Sequence, residues 1–127
     1  MSRIKKRPLK LLLTERAIAD LLAIKSYSTD QWGKRTATRY LADIESGLQF
    51  ITQNPGLLSP IEGLPETLQH YSVRKHVLIC DVRPKSIIVL TVIHGSMDIP
   101  NRLSELLPTL STEVSMLHEK ITAAHGR

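Results

Sequence analysis

Two short stretches hold the residues that could do chemistry together. In YSVRKHVLICDV, 71–82, Arg74 and His76 stand two apart. In VIHGSMDIPNRL, 92–103, His94 is followed by Met97, Asp98 and Arg102. Arginine grips a phosphate through paired N–H groups and stays charged at any working pH. Histidine titrates near neutrality, so two imidazoles can divide the roles of acid and base. Attack by a ribose 2′-hydroxyl on its own phosphate needs such a set: a base, an acid and a cation for the five-coordinate phosphorus. The same residue types are also common on sheet edges, where a histidine simply hydrogen-bonds a backbone carbonyl.

Other chemistries find less support. His94 and Asp98 are four apart, but Gly95 and Ser96 break the helix that a metal pair at this spacing needs. His118 and His125 are seven apart on an expected helix and read as solvent-facing. No metal site is expected. There is no phosphate-cradling glycine loop and no arguable Ser-His-Asp spacing, so no cofactor is expected either. Cys80 is the only cysteine and lies within an apolar run, which reads as a buried structural thiol outside any disulfide.

The elements that position these residues follow from periodicity. Residues 8–13, PLKLLL, read as a first strand. Thr14 is placed to cap a helix carrying Ala17, Ile18, Leu21, Leu22 and Ile24 at helical spacing, and Gly33 to stop it. Ala37, Tyr40, Leu41, Ile44, Leu48 and Ile51 form the stripe of a second helix, which Asn54-Pro55-Gly56 ends. The two make an antiparallel helical hairpin. Residues 55–69, with three prolines, read as an ordered loop without regular structure.

Residues 70–82 alternate as a single strand, Arg83-Pro84-Lys85-Ser86 as a turn, and 86–94 as a β-branched strand covered on both faces. An even-sum register sets His76 opposite His94 and Arg74 opposite Ser96; an odd-sum register puts these groups on opposite faces. Met97 is expected to pack against the helical hairpin, and Asp98 to cap the following helix or pair with Arg102. Pro108 should end a short helix over 101–107. A last helix over 111–125 starts at Ser111 and carries Val114, Leu117, Ile121 and Ala124.

With 127 residues and 42% apolar content, the chain suits one globular domain. No apolar run approaches the roughly 18 residues that span a bilayer. The basic start MSRIKKRPLK lacks the apolar core of a signal peptide, so a cytoplasmic protein is expected, with no membrane partner. A net charge of +5 favours an anionic partner.

Three segments together resemble the ParE/RelE superfamily of type II toxin–antitoxin toxins, with the ParE branch nearest. They are LTERAIADLLAIKSYSTDQWGKRTATRYLADIESGLQFITQNPGL, YSVRKHVLICDV and IIVLTVIHGSMDIPNRL. The marks are Tyr27, Trp32-Gly33, Ala37, Tyr40, Asn54-Pro55-Gly56, Arg74, His76, His94, Met97-Asp98 and Arg102-Leu103, spread over roughly residues 9–107. The pattern departs in three places. No aromatic pair follows His76-Val77-Leu78-Ile79, Ser96 stands where an arginine commonly precedes Met-Asp, and 108–127 run past the usual end.

The resemblance implies an α+β fold: an N-terminal strand and a helical hairpin packed on a small antiparallel sheet. Residues 1–107 would form the toxin domain and 108–127 a helical extension. It implies a cognate antitoxin, with operator DNA met only by the toxin–antitoxin complex. The first functional reading is a DNA gyrase inhibitor that is not an enzyme, with Arg74, His76, Met97 and Arg102 as its contact surface. The alternative is a ribosome-dependent mRNA endoribonuclease in which Arg74 holds the phosphate while His76 and His94 exchange protons. A third is a toxin-fold binding module without toxicity. Fold alone does not choose among them.

Overall fold

A computed structural model describes residues 9–125, and beyond Thr109 only the side chains of Thr112, Val114 and Leu117. The N-terminal basic residues and the side chains of Ser111, His118, Ile121, Ala124 and His125 lie outside what is described. The order is β1 (Lys10–Leu13), α1 (Glu15–Trp32), α2 (Lys34–Gln53), a 3-10 turn (Pro55–Leu57), β2 (Ser59–Pro60), β3 (Leu68–Val73), β4 (His76–Val82), β5 (Ser86–His94) and α3 (Ile99–His125). The five strands form one sheet in the order β1-β5-β4-β3-β2. It is antiparallel from β2 to β5, and β1 adds in parallel on β5.

The hairpin forms where the local signals put it. Thr14 Oγ accepts the Ala17 N–H at 3.0 Å, capping α1, and donates to the Leu90 carbonyl at 2.8 Å, tying that cap to β5. Gly33, at φ 91, joins the helices, and its N–H closes on the Thr29 carbonyl. On α2, Ala37, Ile44, Leu48 and Ile51 are buried, as the stripe requires. On α1 the strip is narrower than expected. Ala17, Ile24 and Ser28 are buried, whereas Ile18 and Leu22 face solvent. A helix lying flat on a sheet buries one such row, and residues 18 and 22 lie about 100° and about 140° round from residue 17.

The hairpin covers one face of the sheet, packing on Leu78, Cys80, Ile87, Val89 and Val92. The other face, with Val77, Ile79, Ile88, Leu90 and Ile93, is covered by Leu103 and Val114 of α3. β5 is therefore buried on both sides, as its β-branched run indicates. Cys80 lies in the first core, where burial and the neighbouring Asp81 push its thiol up to about 12; it is an inert packing residue. Asp20 of α1 accepts the Thr91 hydroxyl and the Val92 N–H, where a bulge shifts the β4–β5 register between Ile79 and Cys80.

Three sequence expectations are corrected. The stretch 55–69 is not devoid of regular structure: β2 pairs with Gln69 and His70 of β3, and Pro60 is tolerated because β2 is an edge. Residues 70–82 are not one strand but the end of β3, a turn at Arg74-Lys75, and β4. Pro108 does not break the last helix. α3 runs through it, and Ser111 is interior to that helix. The missing proline N–H leaves the carbonyl of Ser104 without its helical partner. Ser104 and Pro108 are both exposed, so water can satisfy it.

Candidate functional site

The β3–β4 turn is the point on which the site is built. Arg74 occupies its first central position at φ 55, the only positive-φ non-glycine residue among those described. A hairpin turn with positive φ there ordinarily has glycine, because a Cβ costs about 1–2 kcal/mol in left-handed backbone. Here an arginine is held in that conformation by α2. Gly47 permits the approach, since a Cβ on it would lie 2.6 Å from Val73 Cγ2. Tyr40 and Asp43, nearly one helical turn apart, are thereby brought to the hairpin.

Tyr40 is the centre of the arrangement. Its hydroxyl accepts the Lys75 N–H at 3.2 Å and meets His76 Nδ1 at 2.6 Å. Its ring lies 5.7 Å beneath the Arg74 guanidinium and stands edge-to-face with His76. Asp43 accepts from Arg74 Nε at 2.6 Å and also pairs with Nη2. The register is the even one at this end: His76 is opposite His94, and their rings are 5.3 Å apart at 79°. Arg74 is not opposite Ser96, because the turn takes it out of the ladder. Burial, and then the nearby His94, hold the His76 pKa below its ordinary value.

Hydrogen bonding assigns the imidazole proton of His94. The Ser96 N–H can only donate, and it points at His94 Nδ1 at 3.1 Å, so this nitrogen carries the lone pair. The Ser96 hydroxyl meets the same atom at 2.7 Å. The neutral His94 ring then carries its hydrogen on Nε2. At His76 the Tyr40 hydroxyl, which also accepts the Lys75 N–H, meets Nδ1, and the tautomer of the ring sets which of the two donates. Gly95 brings the strand end close, its N–H bonding the Lys75 carbonyl at 2.8 Å with a Cβ position only 3.4 Å from that oxygen.

Arg74, His76 and His94 thus come together, while Met97 and Arg102 do not join them. Met97 is 46% exposed on the 95–98 loop and belongs to neither core, so it does not pack on the helical hairpin as expected. The tight turn, with the Met97 N–H on the His94 carbonyl, holds it out. Asp98 stands before α3 and bonds Asn101 Nδ2 at 2.7 Å. Arg102 lies 3.7 Å from Glu105, its ion-pair partner among the described residues. Tyr40 and Asp43 were missed as site residues. The available signal was a polar-tipped ring in an otherwise aliphatic stripe with a carboxylate three positions on. Among the described residues, no group of three or more His, Cys, Asp or Glu could hold a metal ion. No helix there is long and apolar enough to cross a membrane.

This fold has counterparts among solved toxin–antitoxin structures. The chain aligns with a chromosomal ParDE system from P. aeruginosa at a TM-score of 0.59 and 19% identity, over 68% of this chain and 95% of that one. It aligns with the RelBE2 toxin–antitoxin complex of Mycobacterium tuberculosis at 0.55 and 16%, over 71% and 94%. At such identities the likeness concerns the fold. Sequence decides the family. Residues 11–99 match the ParE toxin of the type II toxin-antitoxin system parDE, and the chain belongs to that family. It is 29% identical to Toxin ParE of Escherichia coli over 97 residues, 76% of this chain and 94% of that protein. It is 30% identical to Toxin ParE1 of Caulobacter vibrioides over 86 residues, 68% and 88%. The family match includes Tyr40, Arg74, His76, His94 and Met97 and stops short of Arg102.

Proposed function

We propose that the chain is the toxin of a type II toxin–antitoxin pair, neutralised by a cognate antitoxin, and that it acts by binding DNA gyrase and not by cleaving nucleic acid. Membership of the ParE family supports the toxin role, and the toxin–antitoxin complexes among its structural neighbours support the antitoxin partner. The observation that supports the non-catalytic reading is that both histidines and Arg74 are engaged by neighbouring side chains and backbone. His94 Nδ1 is taken by the Ser96 N–H and His76 Nδ1 by the Tyr40 hydroxyl, so each imidazole is tied to its neighbours through that atom. Arg74 is turned toward Asp43 and Tyr40, a rigid posture suited to a contact surface. Met97, exposed on the loop after His94, and Arg102 on α3 would add an apolar contact and a further cation outside the cluster. Operator DNA is met only with the antitoxin, and the site of action is the cytoplasm.

The competing endoribonuclease reading rests on the 5.3 Å contact of His76 with His94 next to Arg74. Inducing the chain in bacteria without its antitoxin, and pulse-labelling DNA and protein separately, decides between them. The gyrase reading expects DNA synthesis to fall first, with a DNA-damage response. Translation falling first would overturn it, as would normal growth with folded protein present.

A further inference from the structure

A groove of about 620 Å³ opens between α1 and the end of the sheet. Tyr27 and Trp32 line it from the helical side; Arg74, Lys75 and His76 line it from the sheet side, with Tyr40 between. Its volume falls within the ~300–1,000 Å³ usual for small-molecule sites. The two α1 aromatics are more than half exposed, at 59% and 53%, yet ordered against each other, with ring centroids 5.9 Å apart and planes at 87°. Such a pair presents a ring face and a ring edge at right angles, which fits one flat ring lying against it. On the sheet side, Arg74 commits Nε and Nη2 to Asp43, and no hydrogen bond among the described residues occupies its Nη1. Lys75 stands beside it, exposed. Neither core uses these two exposed aromatics, which face the cations across the groove.

We infer that this groove binds a nucleotide, its base against Tyr27 and Trp32 and its phosphate on Arg74 and Lys75. Stacking on aromatic side chains tolerates any base, because every base has a π face. Arginine and lysine supply charge-assisted bonds to the phosphate oxygens. Asp43 makes the site selective. Its carboxylate offsets part of the Arg74 charge, so a bare anion gains little, and the ring must contribute. The nucleotide comes either free or as one unit of a single strand; the chemistry of recognition is the same.

Trp32 is the only tryptophan, so its fluorescence reports on the groove directly. The full chain is titrated with AMP, adenosine, inorganic phosphate, 5′-phosphorylated tetra-adenylate as DNA and as RNA, and an acidic phenylalanine-containing peptide. AMP should quench saturably. Arg74→Gly, which suits the turn backbone, should weaken AMP about tenfold and leave adenosine unchanged. Tyr27→Ala, at an exposed position, should weaken both. Asp43→Asn should tighten AMP roughly threefold by removing the opposing charge. Tetra-adenylate binding at least about tenfold tighter than AMP identifies a single strand as the source, and equal binding identifies the free nucleotide. The proposal is overturned if neither AMP nor tetra-adenylate quenches saturably up to about 5 mM. It is also overturned if Arg74→Gly leaves AMP binding unchanged, or if the peptide alone binds.

Discussion

Replacing Arg74 separates what the residue does for the fold from what its side chain does at the surface. The Ala variant loses the Asp43 ion pair, which is half exposed and worth about 0.2–1 kcal/mol. It also loses the contact over Tyr40, worth about 0.5–1 kcal/mol, and it keeps the positive φ. A net loss near 1 kcal/mol is expected. The Gly variant loses the same contacts, but it relieves about 1–2 kcal/mol of left-handed backbone cost. Against this stands about 0.5–1 kcal/mol for the greater freedom of glycine in the unfolded chain. Arg74→Gly should therefore be the more stable of the two by about 0.5–1 kcal/mol, the reverse of the usual order. Urea unfolding followed by circular dichroism measures the difference, since slopes of about 1–3 kcal/mol per M turn it into a readable midpoint shift. Both variants should lose toxicity to the same extent, because neither keeps the guanidinium. An Ala variant as stable as the Gly variant would mean that the turn carries no strain and that the arginine is not held there at a cost.

Tyr40→Phe should cost about 1–2 kcal/mol, because the Lys75 N–H and His76 Nδ1 both lose a partner; thermal melts against the parent chain measure it. Stability should also depend on pH through His76. The unfolded chain takes up this proton near 6.5 and the folded chain only at lower pH, because burial and His94 disfavour the charge. Unfolding thus binds a proton below that value. The melting temperature should be level above pH 6.5 and fall on acidification, and His76→Gln should flatten that slope. Removing residues 109–127 strips the buried Val114 from the second core and should cost about 2 kcal/mol in urea unfolding. If residues 1–107 are the working unit, the shortened chain still arrests growth when induced.

What could be read from the sequence was mostly local. Thr14, Gly33, the α2 stripe and the β-branched run of β5 each act through neighbours along the chain, and each element formed where its residues indicated. The turn at Arg74-Lys75 was hidden because it lacks the glycine or asparagine that marks such a turn. An unbroken strand over 70–82 would put Tyr71 and Val73 on the same side as Val77 and Ile79. Tyr71 and Val73 share their side with Leu78 and Cys80, not with Val77 and Ile79. The facing of His76 and His94 needed the register, and the bulge between Ile79 and Cys80 means that both registers occur along the same strand pair. Tyr40 and Asp43 joined the site through a tertiary approach that depends on Gly47 lying against Val73. α3 continues past Pro108 because Leu103 and Val114, on either side of it, both pack on the sheet. That packing overrides the local preference of proline.

Inhibition of gyrase by binding, as proposed, requires no proton transfer by the histidines. Its most direct test is DNA supercoiling by purified gyrase in the presence of the full chain and of the doubly substituted His76→Ala, His94→Ala chain. The parent chain should inhibit supercoiling as its concentration approaches that of gyrase, and the doubly substituted chain should still inhibit at higher concentration, because it loses only the His76 contact. Undiminished supercoiling in saturating parent chain would contradict the proposed inhibition.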